Sequence, residues 1–147
     1  MALGSDIQTM TACEIQRAVA RSELTAVEVT SALSDLLEQT NPTLNAVCTV
    51  NDGARMQAEA CDARLRGGAP ARPLEGVPVV IKDNIETAGL RTTFGSKLLE
   101  DQVTAEDCPL VERLREAGAI LVGRTNSPEF GWKGVTDNRV FGITRNP

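Results

Sequence analysis

Lys82 closes a run of β-forming residues, Val79-Val80-Ile81, and is followed at once by the turn formers Asp83 and Asn84. A short apolar run bounded by Gly76 and Pro78 on one side and Asp-Asn on the other reads as a strand buried on both faces. Side chains alternate along a strand, so Val79 and Ile81 share one face and Val80 and Lys82 the other. The lysine therefore starts from an apolar neighbourhood. Out of water an ammonium is penalised, its pKa falls, and the neutral amine can act as a base at about pH 7.

The sequence contains no histidine. Ser-His-Asp and Cys-His nucleophile systems are thereby excluded for these residues alone, as are most transition-metal sites, which lean on imidazole. A hydrolytic base must then be Lys, Asp or Glu, and neither a metal nor a cofactor is expected. Ser96 would complete a Ser-Lys dyad, but a serine in a Gly-Ser loop is more often a turn former. Cys108 sits before Pro109 at a helix start with no base in view. Asp83 and Asn84 either orient Lys82 or form an Asx turn, and the turn is the default. Thr125 and Asn126 are candidates for touching substrate.

These residues need a scaffold, and the spacing supplies one. Thr11 with Glu14 has capping-box spacing and opens a first helix over 11–22, with Ile15, Ala18 and Val19 on one face. Thr25 with Glu28 repeats the device. That second helix carries Val29, Leu33, Leu36 and Leu37 and is expected to stop before Asn41-Pro42. A β-prone run over 46–50 precedes a third helix with Ala54, Ala58, Cys61 and Leu65 on one face. Its Arg55, Glu59, Asp62, Arg64 and Arg66 read as solvated charge. Asp107 and Pro109 mark another helix start, with Leu110, Val111, Leu114 and Ala117 on the buried side and Gly118 as the stop. A fully apolar strand over 119–123 follows. Strand, helix, strand is a βαβ crossover, hence parallel pairing with reactive groups gathered at the carboxyl ends of the strands. Beyond Ser127 the chain reads as loop, with a short helical turn after Pro128.

The fold class is therefore α/β, a mixed sheet with helices on both faces preceded by a helical N-terminal region. One partial domain over 1–147 is expected: 1–66 mainly helical, 67–75 a flexible connector, and 76–147 the start of a core.

Composition narrows the partners. Only 3% of the residues are aromatic and the net charge is −5, so direct nucleic-acid binding is not expected. Cys13, Cys48, Cys61 and Cys108 lie far apart with no C-x-x-C pair, and read as mostly buried, reduced thiols. With no signal-like start and no stretch of membrane-span length, the expectation is a cytoplasmic protein.

Several separated segments resemble the amidase signature family: Gly76-Val77-Pro78-Val79-Val80-Ile81-Lys82-Asp83-Asn84, Thr92-Thr93-Phe94-Gly95-Ser96, the stretch from Leu114 to Arg124-Thr125-Asn126, and Phe141-Gly142 to Arg145-Asn146-Pro147. That family includes bacterial amidases and the tRNA-dependent amidotransferases, through the A subunit of the latter. The resemblance implies cleavage of a carboxylic amide by a Ser-cis-Ser-Lys triad, with Lys82 at the lysine position, acting through a bridging serine. The family's Gly-Ser-rich segment with both serines is expected to follow Asn146-Pro147. On this reading residues 1–147 are the N-terminal part of an amidase and are inactive alone, and their partners are a small-molecule amide and a C-terminal segment or complementing chain. An uncovered strand edge also favours self-association into a homo-oligomer. The alternatives are a noncatalytic α/β binding or assembly module, and a subunit of a tRNA-dependent amidotransferase.

Overall fold

The computed structural model describes residues 7–147. Its elements are α1 (Ala12–Ala20), α2 (Ala26–Leu44), β1 (Val47–Val50), α3 (Ala54–Arg66), β2 (Pro78–Lys82), α4 (Pro109–Glu116), β3 (Ile120–Thr125), β4 (Asp137–Asn138) and β5 (Gly142–Ile143), with 3₁₀ turns at Lys97–Leu99 and Glu129–Gly131. Two compact units are distinguished. The first holds the described residues up to Leu36 with Asp52–Val79 and Arg113–Val122, and the second holds Leu37–Asn51, Val80–Glu112 and Gly123–Pro147.

In the first unit, helix starts follow the capping chemistry. The Glu14 amide donates to Thr11 Oγ1 at 3.3 Å while Glu14 Oε2 accepts from the Thr11 amide at 2.7 Å, so two orphan donors are satisfied reciprocally. Thr25 and Glu28 repeat the exchange at 2.8 and 3.1 Å. Asp62 adds to this second start, its carboxylate accepting from the amides of Ala26 at 2.7 Å and Val27 at 3.2 Å. Asp62 is thus buried and corrects its reading as solvated charge. Ile15, Val19, Val29, Ala58, Val77 and Ile120 form the centre of the core. Each large side chain buried there contributes about 1.5–3 kcal/mol, against about 1 kcal/mol for a typical cap.

The second helix runs beyond its expected end. Pro42 lies inside α2, which continues to Leu44. The turn persists because the Asn45 amide still reaches the Asn41 carbonyl at 2.7 Å, and Asn45, at φ 50°, then ends the helix in the left-handed region. Asn41 fastens the exit, its Oδ1 accepting from the amides of Ala46 and Val47, each at 2.9 Å.

The main sheet has the order β1-β3-β2. β1 is antiparallel to β3, with Val47 opposite Thr125 and Val50 opposite Gly123, and a bulge falls at Cys48. Hydrogen bonds from Ile120 to the Val77 carbonyl and from Asp83 to the Thr125 carbonyl advance along β2 and β3 in the same sense. That pair is therefore parallel, and the sheet is mixed. Gly123 is required in the central strand, since a Cβ there would lie 2.6 Å from the Thr49 carbonyl oxygen.

β3 is buried over its first five residues, whereas β2, like β1, lies at an edge and is not buried on both faces. Ile81 is covered, but Val80 is 39% exposed and Lys82 is exposed. The apolar neighbourhood expected on the lysine's face is absent among the described residues, because nothing there packs on the outer side of this edge.

α4 begins with Pro109 at its first position and buries Val111, while Leu110, expected on the buried side, is 49% exposed. The Ala119 amide reaching the Leu114 carbonyl and the Gly118 amide reaching the Arg115 carbonyl close the helix as a Schellman motif, with Gly118 at φ 95°. The cysteines are free, but only Cys61 is buried: Cys13 is exposed, and Cys48 and Cys108 are half-buried. No helix among the described residues is long and apolar enough to cross a membrane.

Candidate active site

Lys82 stands at the carboxyl end of β2, where the chain turns through Asp83, Asn84 and Ile85. The Ile85 amide donates back to the Lys82 carbonyl at 3.0 Å, and the Asp83 amide continues the pairing with β3 at 2.9 Å. The backbone under the lysine is therefore fixed, while its amine makes no hydrogen bond or ion pair among the described residues.

Asp83 points inward and is fully buried. Its Oδ1 accepts from the Thr93 amide at 3.1 Å and from Arg124 Nε at 3.2 Å, and its Oδ2 accepts from Thr93 Oγ1 at 2.5 Å and the Gly95 amide at 3.3 Å. The default Asx turn is therefore corrected: Asp83 ties the 93–95 loop to β3. Arg124 is equally buried and gives Nη1 to Thr87 Oγ1 at 2.7 Å and Nη2 to the carbonyls of Lys82 at 3.3 Å and Ile85 at 2.8 Å. An unpaired guanidinium in such a place would be very costly, and this one has a carboxylate and three further acceptors.

Two loops with the same backbone habit meet near the lysine. Phe94-Gly95 has φ 53° and 67°, and Phe130-Gly131 has φ 50° and 71°. The Phe130 amide donates to the Phe94 carbonyl at 2.7 Å, and the two rings lie 6.2 Å apart. Left-handed phenylalanines are uncommon and are held only where the surroundings over-determine them. Glycine at 131 leaves room in front of the lysine: a Cβ there would lie 3.1 Å from Asn84 Nδ2 and 4.0 Å from Lys82 Nζ.

The other candidates are otherwise engaged. Ser96 is buried, and its hydroxyl donates to Glu129 Oε1 at 2.7 Å. Asn126 gives its amide to the Gly142 carbonyl at 3.2 Å and Thr144 Oγ1 at 3.0 Å. Asn138 completes that knot by donating to Asn126 Oδ1 at 2.6 Å, which anchors a β4–β5 hairpin where the sequence predicts loop. The Cys108 thiol is free and half-buried, and only the backbone amide of that residue is tied down, to the Glu86 carbonyl at 3.2 Å. Beside these, sequence reasoning missed the roles of Thr87 and Thr93; both are small hydroxyl residues in an irregular segment, a type that turns and surfaces use equally often.

A second buried carboxylate lies in the first unit. Glu75 accepts from the Arg72 amide at 2.9 Å, from Arg72 Nε and Nη2 at 2.9 Å each, from Arg64 Nη2, and from the Cys61 thiol at 3.0 Å. Burial works to raise its pKa, but the Arg72 and Cys61 hydrogen bonds outweigh it and hold the carboxyl down at about 2. The connector is pinned to the same cluster, since Arg64 Nη1 donates to the Pro70 carbonyl at 2.9 Å. A cavity of about 290 Å³ beside it is lined by Gln57, Cys61, Arg64, Arg72, Arg115 and Ile120 among others, and Lys82 is not among them.

A mixed α/β chain that sets a lysine without a partner among the described residues at a parallel strand's carboxyl end is the class the geometry defines. The model of the Amidase family matches residues 28–147, and the chain belongs to that family. It is 42% identical over 144 residues to the A subunit of the glutamyl-tRNA(Gln) amidotransferase of Acidothermus cellulolyticus, covering 97% of this chain and 28% of that one. Among solved structures, it is similar to a bacterial aryl acylamidase of the amidase signature enzymes, with TM-score 0.88 and 36% identity over 93% of this chain and 29% of the other. The native peptide amidase of Stenotrophomonas maltophilia aligns with TM-score 0.84 and 33% identity over 94% and 30%. The chain thus spans less than a third of the length of each of these relatives.

Proposed function

We propose that these residues are the lysine-bearing part of an enzyme that hydrolyses a carboxylic amide C–N bond, with Lys82 as its base. The observation that carries the reading is the Lys82 amine, without a side-chain partner among the described residues, on a backbone held by the bonds of the Asp83 and Ile85 amides and by Arg124. Lys82 is exposed, so its amine is open to a reaction partner rather than tied into the fold.

The chemistry follows the family resemblance. Lys82 takes a proton through a bridging serine as the nucleophilic serine oxygen bonds to the substrate carbonyl carbon. The C–N bond then breaks, the leaving amine carries the proton away, and water hydrolyses the acyl-enzyme. The chain spans less than a third of each relative's length, and both serines are proposed to lie on the remainder. That remainder, or a complementing chain, is also proposed to cover the Val80–Lys82 face.

The test uses the complete polypeptide carrying these residues, assayed on a 4-nitroanilide, a primary carboxamide, a peptide C-terminal amide and glutamine. Lys82→Ala should lower turnover on the order of 10³-fold with the melting temperature kept. A folded variant that keeps its turnover would remove Lys82 from the mechanism, and a parent inactive on all four amides would favour a noncatalytic α/β module.

The 42% identity to an amidotransferase component favours a second reading, a glutamine-consuming member of a tRNA-dependent complex. Ammonia released from glutamine, with the simple amides untouched, would select it.

A further inference from the structure

We propose that Arg124 is the positioning residue for Lys82. This inference rests on the reading of Lys82 as the base. With no partner for its amine among the described residues, the lysine's aim depends on the backbone from which it springs. That backbone makes an abrupt change at Lys82, from the edge strand to the 82–85 turn, and the Arg124 side chain holds both sides of the change. Its Nη2 reaches the Lys82 carbonyl at 3.3 Å and the Ile85 carbonyl at 2.8 Å, while Nε holds the Asp83 carboxylate at 3.2 Å. Thr87 Oγ1, at 2.7 Å from Nη1, fixes the plane of the fork from the far side. Asp83 and Arg124 are both fully buried, so the assembly has no water to fall back on.

The geometry calls for a guanidinium rather than a positive charge as such. Four acceptors, the Lys82 and Ile85 carbonyls, the Asp83 carboxylate and Thr87 Oγ1, are met by one planar fork with divergent donors. A lysine at 124 would neutralise Asp83 but would not reach both carbonyls. The 82–85 turn would then be released with the charge balance kept, and small misplacements of a reacting group have large rate effects.

The test compares Arg124→Lys with Lys82→Ala in the complete polypeptide, on whichever of the four amides the parent hydrolyses fastest. A folded Arg124→Lys should lose about 10–100-fold in kcat with KM within about twofold of the parent, since only the base has moved. Parent-like kcat, or a loss confined to KM, overturns the positioning role while Lys82→Ala is inactive. If Lys82→Ala stays active, the base assignment fails first and the inference falls with it. Should Arg124→Lys fail to fold, Thr87→Val is read instead: it keeps the ion pair, frees one side of the fork and also removes the Thr87 hydroxyl's own bond to the Ile85 carbonyl at 3.2 Å. A kcat reduced several-fold at constant KM supports the proposal, and an unchanged kcat overturns it.

Discussion

Glu75 and Asp83 flank the lysine strand in sequence, both are fully buried, and each is met by arginine, yet the two clusters are built on different terms. The arginines of Glu75 keep contact with solvent, the side chain of Arg64 being 29% exposed and that of Arg72 35%. The arginine of Asp83 is 0% exposed. In the first cluster only the carboxylate has been taken fully out of water; in the second both charges have. A buried pair of the second kind contributes little net stability relative to an apolar pair, but it is costly to break from one side. It is therefore suited to fixing geometry, whereas the first is suited to closing a loop.

The sharpest way to break the comparison is to neutralise each carboxylate in turn. Asp83→Asn leaves one oxygen where two accept from Thr93, Gly95 and Arg124, and it leaves the Arg124 guanidinium buried without a counter-charge. A loss of about 3–5 kcal/mol is expected, read by chemical denaturation. Glu75→Gln should lose less, about 2 kcal/mol, because Arg64 and Arg72 can turn their free donors to water. Equal losses would show that the exposure of the partner is not what sets the cost.

Acid sharpens the same contrast. The Glu75 carboxyl is held at about 2 in the fold, below its ordinary value of 4.5. Above that ordinary value both folded and unfolded chains carry it ionised, and its whole contribution is present. As pH falls, the unfolded side chain takes up its proton first, so the contribution shrinks and is gone once the folded carboxyl protonates near pH 2. The ceiling on this term is about 3 kcal/mol, lowered by the partly solvated arginines. Stability measured between pH 5 and about 2 should fall less steeply for Glu75→Gln than for the parent. An identical slope would mean that Glu75 is not the group titrating there.

Much of the scaffold was legible because its signals are local. The Thr11–Glu14 and Thr25–Glu28 boxes, Pro109 at a helix start, Gly118 at its stop and the apolar run of β3 each need only neighbours within a turn or two. Lys82 was legible as a strand-end residue for the same reason. Its solvent exposure was not, since whether a strand is central or at an edge is decided by pairing, and β2 is an edge. Asp62 reads as solvated charge and Asp83 as a turn former because a carboxylate's partner is set by tertiary folding: Asp83 meets an arginine 41 residues away, and Asp62 caps a helix 36 residues earlier. Pro42 misled by a true rule, overridden where Asn41 and Asn45 supply the bonds that end the helix.

The smallest expected effect uses the thiol that each cluster holds. Cys61 is pushed up to about 12, by burial first and then by the hydrogen bond and negative charge of Glu75. Cys48 is pushed up to about 11, by burial and then by the charge of Asp83, which Arg124 partly offsets. Only the thiolate reacts with alkylating reagents, so both should label slowly in the folded chain while the exposed Cys13 labels fast. Glu75→Gln removes the charge and weakens the acceptor beside Cys61, so labelling of Cys61 should speed up several-fold while Cys48 is unchanged. The rate at Cys48 is the control for general loosening of the fold: a rise at both thiols would report unfolding, not electrostatics. Burial is the first cause at both sites and is untouched by the substitution, so the acceleration must stay well short of the Cys13 rate. A Cys61 that already labels as fast as Cys13 in the parent would mean that the thiol–carboxylate bond at 3.0 Å does not hold it.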